Sequence, residues 1–187
     1  MTKSVYASGA IAHRETPPRW YRVVGSAGLL AGTLDAVVAC FEAALQGRSP
    51  VHLFQVIAGG LLGKSSFQGG LETATVGLLL HFTIAMAWAG LFYWISRWQN
   101  KVQRHSIISG IAYGVLVYTF MYYVVLPLSA YHTKIAAPSL WTGLRDITVH
   151  IVAIGLPISL VSSRQNKVLS NSAVVCLSGC LNERGMP

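Results

Sequence analysis

The stretch VVGSAGLLAGTLDAVVACFEAAL, Val23 to Leu45, carries only two charged residues, Asp35 and Glu42. At 1.5 Å per residue it would extend about 34 Å as a helix, enough to cross a ~30 Å hydrocarbon core with some tilt. Trp20, Tyr21 and Arg22 precede it, the aromatic and cationic pattern of a membrane interface. The stretch therefore predicts a transmembrane helix. It also raises a physical problem, because an ionised acid at mid-membrane costs at least ~2.5–3.5 kcal/mol on insertion scales.

The rest of the chain repeats the pattern. Of its 187 residues 53% are hydrophobic and 11% are charged, against roughly 25% charged in soluble domains. Mean hydropathy is +0.51. Further spans are predicted at about 73–95, 107–126 and 140–161. Phe92, Tyr93, Trp94 and Trp98 mark the far interface of the second. Pro127 ends or kinks the third, Pro138-Ser139 starts the fourth, and Pro157 kinks it. Between spans one and two, Ser49-Pro50 opens a short apolar run to about residue 63, broken by Gly59, Gly60 and Gly63. It is too short to cross and predicts an interfacial or re-entrant helix at the bundle's outer end. The fold class is an all-α integral membrane four-helix bundle, with an N-terminal segment 1–22, a membrane domain 23–164 and a disordered tail 165–187.

Net charge is +8, but the bases sit at the ends of apolar runs rather than in one patch, which argues against nucleic acid and for membrane topology. Lys3, Arg14, Arg19, Arg22, Arg97, Lys101, Arg104, Arg164, Lys167 and Arg184 fall on one side, against Arg48, Lys64, Lys134 and Arg145 on the other. The bias predicts both termini in the cytoplasm. No secretory signal peptide is evident. The chain has three cysteines, Cys40 in span one and Cys176 and Cys180 in the tail. That is neither a disulfide framework nor a four-ligand zinc set.

Lipid supplies no hydrophobic drive for helix association, so small residues must let backbones approach. Gly28, Gly32, Ala36 and Cys40 are each four apart. Ala74, Gly77, Ala85 and Ala89 mark span two, and Ser106, Gly110 and Gly114 mark span three. The packing residues expected are therefore Gly28, Gly32, Gly77, Gly110 and Gly114. Asp35 and Glu42 fall on the glycine stripe of span one and face the bundle. His81 falls on the stripe of span two. Asp35 and His81 each lie about 18 Å from the inner edge, so they form a candidate proton-sharing pair. Asp146 and His150, one turn apart on span four, lie with Arg145 and Glu42 nearer the outer side.

This polar core of Asp35, Glu42, His81, Asp146 and His150 admits several roles. It serves as interhelical hydrogen-bonded glue, or it passes protons or a small solute. An accessory or scaffold subunit of a membrane complex is an alternative. A haem or metal protein using His81 and His150 is another, although no H-x-x-x-H or E-x-x-H pair supports it. No cofactor is otherwise called for. Beyond lipid, the partners admitted are a second copy or a membrane complex, since four spans are few for a transporter and no inverted repeat is visible. No catalytic set emerges. GGLLGKSS lacks the first glycine of a phosphate loop, and Ser65, Ser66 and Lys64 near His52 lack a G-x-S-x-G context.

The segments AGLLAGTLDAVVA, QVIAGGLLG, GGLETATVGLLLHFTIAMAWAGLFYWISR, GIAYGVLVYTFMYYVVLPLSA and HIVAIGLPISL resemble an uncharacterised family of small multi-pass bacterial inner-membrane proteins. The likeness runs from about Gly25 to Arg164 and leaves out both ends. It implies a location and a multi-pass fold. The family has no assigned activity, so it transfers no catalytic residue.

Overall fold

The computed structural model describes residues 20–130 and 138–164. The segment before Trp20, and the tail with Cys176 and Cys180, lie outside the described residues. Four helices are long and apolar enough to cross a membrane. They are α1 (Trp20–Leu45), α3 (Gly70–Trp98), α5 (Ser106–Leu128) and α6 (Leu140–Arg164). Shorter pieces are α2 (Pro50–Leu62), a 3₁₀ turn at Gly63–Gln68 and α4 (Asn100–Arg104). No strand occurs among the described residues. The protein is a helical membrane bundle, with spans a few residues longer at most ends than hydropathy alone drew them.

Consecutive spans run antiparallel. On α1, a Cβ added to Gly28 would meet Met86, and one added to Gly32 would meet Phe82 and Ala85. On α5, Gly110 faces Gly155, Leu156 and Ser159 of α6, while Gly114 faces His150 and Ile151. Glycines let the helices approach in both seams, against the Met86 and Phe82 side chains in the first and against the α6 backbone in the second. The seam between α3 and α5 is filled instead by aromatic rings. Tyr113 stands edge-on to Trp88 and to Phe92, and Phe120 stands edge-on to Trp88. The Tyr113 hydroxyl donates to the Trp88 carbonyl at 2.6 Å, which satisfies that hydroxyl within the cluster. Ala27, Ala31, Val117, Ala153, Ile154 and Ile158 complete the core.

Helix α2 starts where its sequence says. The Ser49 hydroxyl accepts from the His52 N–H at 3.2 Å, and Pro50 takes the first helical position. It ends at Gly63, whose φ of 64° suits a residue without Cβ. It packs against α3 and α1. At Gly77 the backbone of α3 lies against the Phe54 carbonyl and the Ala58 N–H. Gly77 thus seats the short helix rather than another span, so a small residue read from sequence marks a contact without naming its partner. The far end of α2 is tied to the end of α5, where the Ala130 N–H donates to the Gly60 carbonyl at 2.9 Å.

Both spans with an internal proline widen just before it. Residues Met121–Val125 of α5 and His150–Gly155 of α6 are π-helical. The Leu126 N–H donates to Met121, and the Leu156 N–H donates to Ile151, five residues back in each case. A proline ring collides with the carbonyl four residues before it and offers no donor. For Pro127 and Pro157 those carbonyls belong to Tyr123 and Ala153, inside the wide turns. The expected kinks are met by π turns, which move the carbonyl aside and re-aim the neighbouring side chains.

Candidate functional site

At the end of the bundle where α2 lies, the helices part around two adjoining cavities. The outer one, the mouth, has a volume of about 390 Å³ and is lined by Glu42, Tyr118, Tyr122, Arg145 and Asp146 among others. The inner one, the chamber, has a volume of about 190 Å³ and is lined by Gly32, Ile57, His81, Trp88, Val117 and Ile154 among others. Asp35, Met121 and His150 line both. Each π turn contributes here: Met121 and Tyr122 come from one, His150 and Ile154 from the other. Beyond the chamber the bundle closes around an apolar cluster, with the buried serines Ser96, Ser159 and Ser162 toward its far end.

The chain has six acidic residues, and three of them, Asp35, Glu42 and Asp146, line this cleft. Arg145 answers two of them. Its Nε lies 3.3 Å from Glu42 Oε1, and its Nη2 lies 2.9 Å from Asp146 Oδ1. The Arg145 side chain is 43% exposed, so in water this pairing is worth about 0–1 kcal/mol. It joins α1 to α6 across the mouth. Asp35 lies two turns deeper on α1. Among the described residues, no hydrogen bond or ion pair holds its carboxylate.

The two histidines are oriented by backbone. His81 Nε2 lies 2.9 Å from the Gly32 carbonyl of α1. His150 Nδ1 lies 2.8 Å from the Asp146 carbonyl one turn back on α6. A carbonyl oxygen only accepts, so the N–H of each ring is the nitrogen at that carbonyl. A neutral ring then keeps a lone pair on its other nitrogen, Nδ1 of His81 and Nε2 of His150. The His150 ring stands edge-on to Tyr118 at 5.5 Å between centroids, and Tyr118 stacks on Tyr122 at 5.8 Å.

The structure gathers Asp35, Glu42, His81, Asp146 and His150 around one continuous cleft. It does not join Asp35 to His81 directly. Both line the chamber, but the His81 N–H is held by Gly32, three residues before Asp35. Sequence placed Arg145 by depth only, and its bridge to Glu42 was not foreseen. Also unforeseen were Tyr118, Tyr122, Met121, Trp88 and Ile57. The four-residue spacing of Tyr118 and Tyr122 puts them on one helix face, a signal that was there to read. Ile57 had none, because its place depends on how α2 folds back. Among the described residues, no group of three or more His, Cys, Asp or Glu side chains is arranged to hold a metal ion.

No protein-family model, no curated protein and no solved structure matches the chain. The chemistry of the cleft must therefore be read from its own atoms. It offers three carboxylates against one guanidinium, and two imidazole lone pairs. That is a set of acceptors suited to protons and cations.

Proposed function

We propose that the protein lies in a bacterial inner membrane with both termini in the cytoplasm. We propose further that its cleft takes up protons or a small solute from the outer side as far as Asp35. The orientation rests on the bias of Lys and Arg toward one set of ends. On that orientation the mouth and α2 face outward. A reporter fused after Arg164 is expected to read as cytoplasmic, and an external signal would reverse the assignment.

The observation that carries the reading is the Asp35 carboxylate. It sits where mouth and chamber meet, without an ionic partner among the described residues, on a helix long and apolar enough to cross the bilayer. An intramembrane acid that only stitched helices together would be bonded to one of them. The groups facing it or lining the same cleft are Glu42 of α1, His81 of α3, Tyr118 and Tyr122 of α5, and Arg145, Asp146 and His150 of α6. Protons reaching Asp35 would pass the tyrosines and His150. The core beyond the chamber means that passage to the other side needs a rearrangement of the bundle, and the reading includes that step: protons taken up at Asp35 complete the crossing through it.

The test is proton uptake by purified protein in liposomes enclosing a pH-sensitive dye. The wild type is expected to acidify the lumen under an imposed gradient. Asp35→Asn is expected to reduce the rate at least ~100-fold, the scale of losing a proton-transfer group. Uptake that survives Asp35→Asn at full rate, or none in the wild type, would overturn the reading.

A further inference from the structure

The chamber has the chemistry of an ammonium site. An ammonium head has three N–H donors and no acceptor. Asp35 supplies an unpartnered carboxylate, and His81 and His150, fixed by their backbone carbonyls, each retain one lone-pair nitrogen. The rest of the wall is apolar, with Trp88, Val117 and Ile154 prominent. Trp88 offers a broad indole surface for an apolar stem. At about 30 Å³ per water-sized group, the 190 Å³ chamber holds an ion of about six heavy atoms.

The alternatives fit less well. An anion is disfavoured, since the guanidinium of the cleft sits in the mouth between Glu42 and Asp146 and the Asp35 carboxylate stands in the chamber. That same pairing neutralises Arg145, so an incoming cation meets no net positive charge at the entrance. A divalent metal fits less well, because Asp35, His81 and His150 line the chamber without forming a three-ligand group among the described residues. A neutral solute would leave the Asp35 charge unanswered at membrane depth, an expensive state.

We propose that the chamber binds a small, otherwise apolar primary ammonium ion, its head on Asp35 and its carbon stem on Trp88, with the His81 and His150 rings in the same wall. The proposal deepens the uptake reading above and rests on it for access from the mouth. Isothermal titration of the full chain in detergent micelles tests it, with isobutylammonium chloride as the probe. Saturable binding is expected, weaker by at least ~tenfold in Asp35→Asn, which corresponds to about 1.4 kcal/mol. On the wild type alone, isobutanol, of the same shape but uncharged, is expected to bind at least ~tenfold more weakly. Isobutanol binding as tight as isobutylammonium, undiminished binding by a folded Asp35→Asn, or no saturable heat from the wild type would overturn it. Asp35-dependent proton uptake together with no isobutylammonium binding removes the amine assignment and leaves the cleft reading standing. The absence of both removes both.

Discussion

Gly155→Ala is expected to unseat α6 from α5. A Cβ at Gly155 would fall on the Gly110 carbonyl and crowd the backbone of Gly114. Neither obstacle can rotate away, because both are main chain inside a helix. Overpacking of a close interface costs about 1–3 kcal/mol and occasionally more, and a clash with backbone belongs at the upper end. The same seam carries His150 and Ile154 into the cleft, so the lesion would spread to the site. Unfolding in mixed micelles, followed by circular dichroism, reads the loss. Gly25→Ala is the control, since its Cβ would meet nothing within 4 Å. It is expected to raise stability by about 0.5–1 kcal/mol, the ordinary gain of alanine over glycine within a helix. Equal stabilities for Gly155→Ala and the wild type would mean that α5 and α6 do not meet glycine to glycine.

The second large effect runs in the opposite direction. Asp35→Leu is expected to stabilise the bundle while abolishing uptake. The carboxylate has no bonding partner among the described residues, so its removal orphans no donor. Removing a charge from the centre of a span relieves about 2.5–3.5 kcal/mol of insertion cost. The leucine side chain enters a chamber already walled by Trp88, Val117 and Ile154, where it gains apolar contact. Part of this is offset because Asp35 lines the open mouth rather than a sealed core, so a net gain of about 1–2 kcal/mol is expected. Micelle unfolding and the liposome assay, run on the same preparation, check both halves. If Asp35→Leu proves less stable than the wild type, Asp35 is structural glue and the uptake reading loses its basis.

How far the sequence revealed this arrangement can be argued from particular residues. The spans were legible because a helix crossing lipid must satisfy its backbone internally and be apolar along its whole length. The starts of α2 and α6 were legible because Ser49 and Ser139 are capping residues, and their hydroxyls accept from His52 and Thr142. The polar cleft was partly legible. Spacing along one helix is fixed by the helical repeat, so the stripe of Asp35 and Glu42 could be read directly. Contacts between helices are not fixed this way. The register of α1 against α3 sets His81 on the Gly32 carbonyl rather than on Asp35, a difference of one turn that no single-chain pattern encodes. Arg145 reaches Glu42 for the same reason, across a seam set by packing. The prolines announced a disturbance in α5 and α6. That the disturbance is a wide turn, and that it aims Met121, Tyr122 and His150 at the cleft, follows only from the folded backbone.

The closed apolar end of the bundle has an electrical consequence. An energised membrane drops its voltage across insulating material, not across water-filled space. Were solvent to fill the mouth and chamber, the insulating layer would narrow to the plug around Ala27, Phe92, Tyr113 and Ile158. A charge resting at Asp35 would then have crossed little of the potential measured from the mouth. A single charge moving on through the plug would take nearly all of the ~2.3 kcal/mol that each 100 mV provides. The local field there would be steeper than in the surrounding bilayer, whichever way the chain lies. Any conduction through this protein would therefore be paced by membrane voltage at the plug.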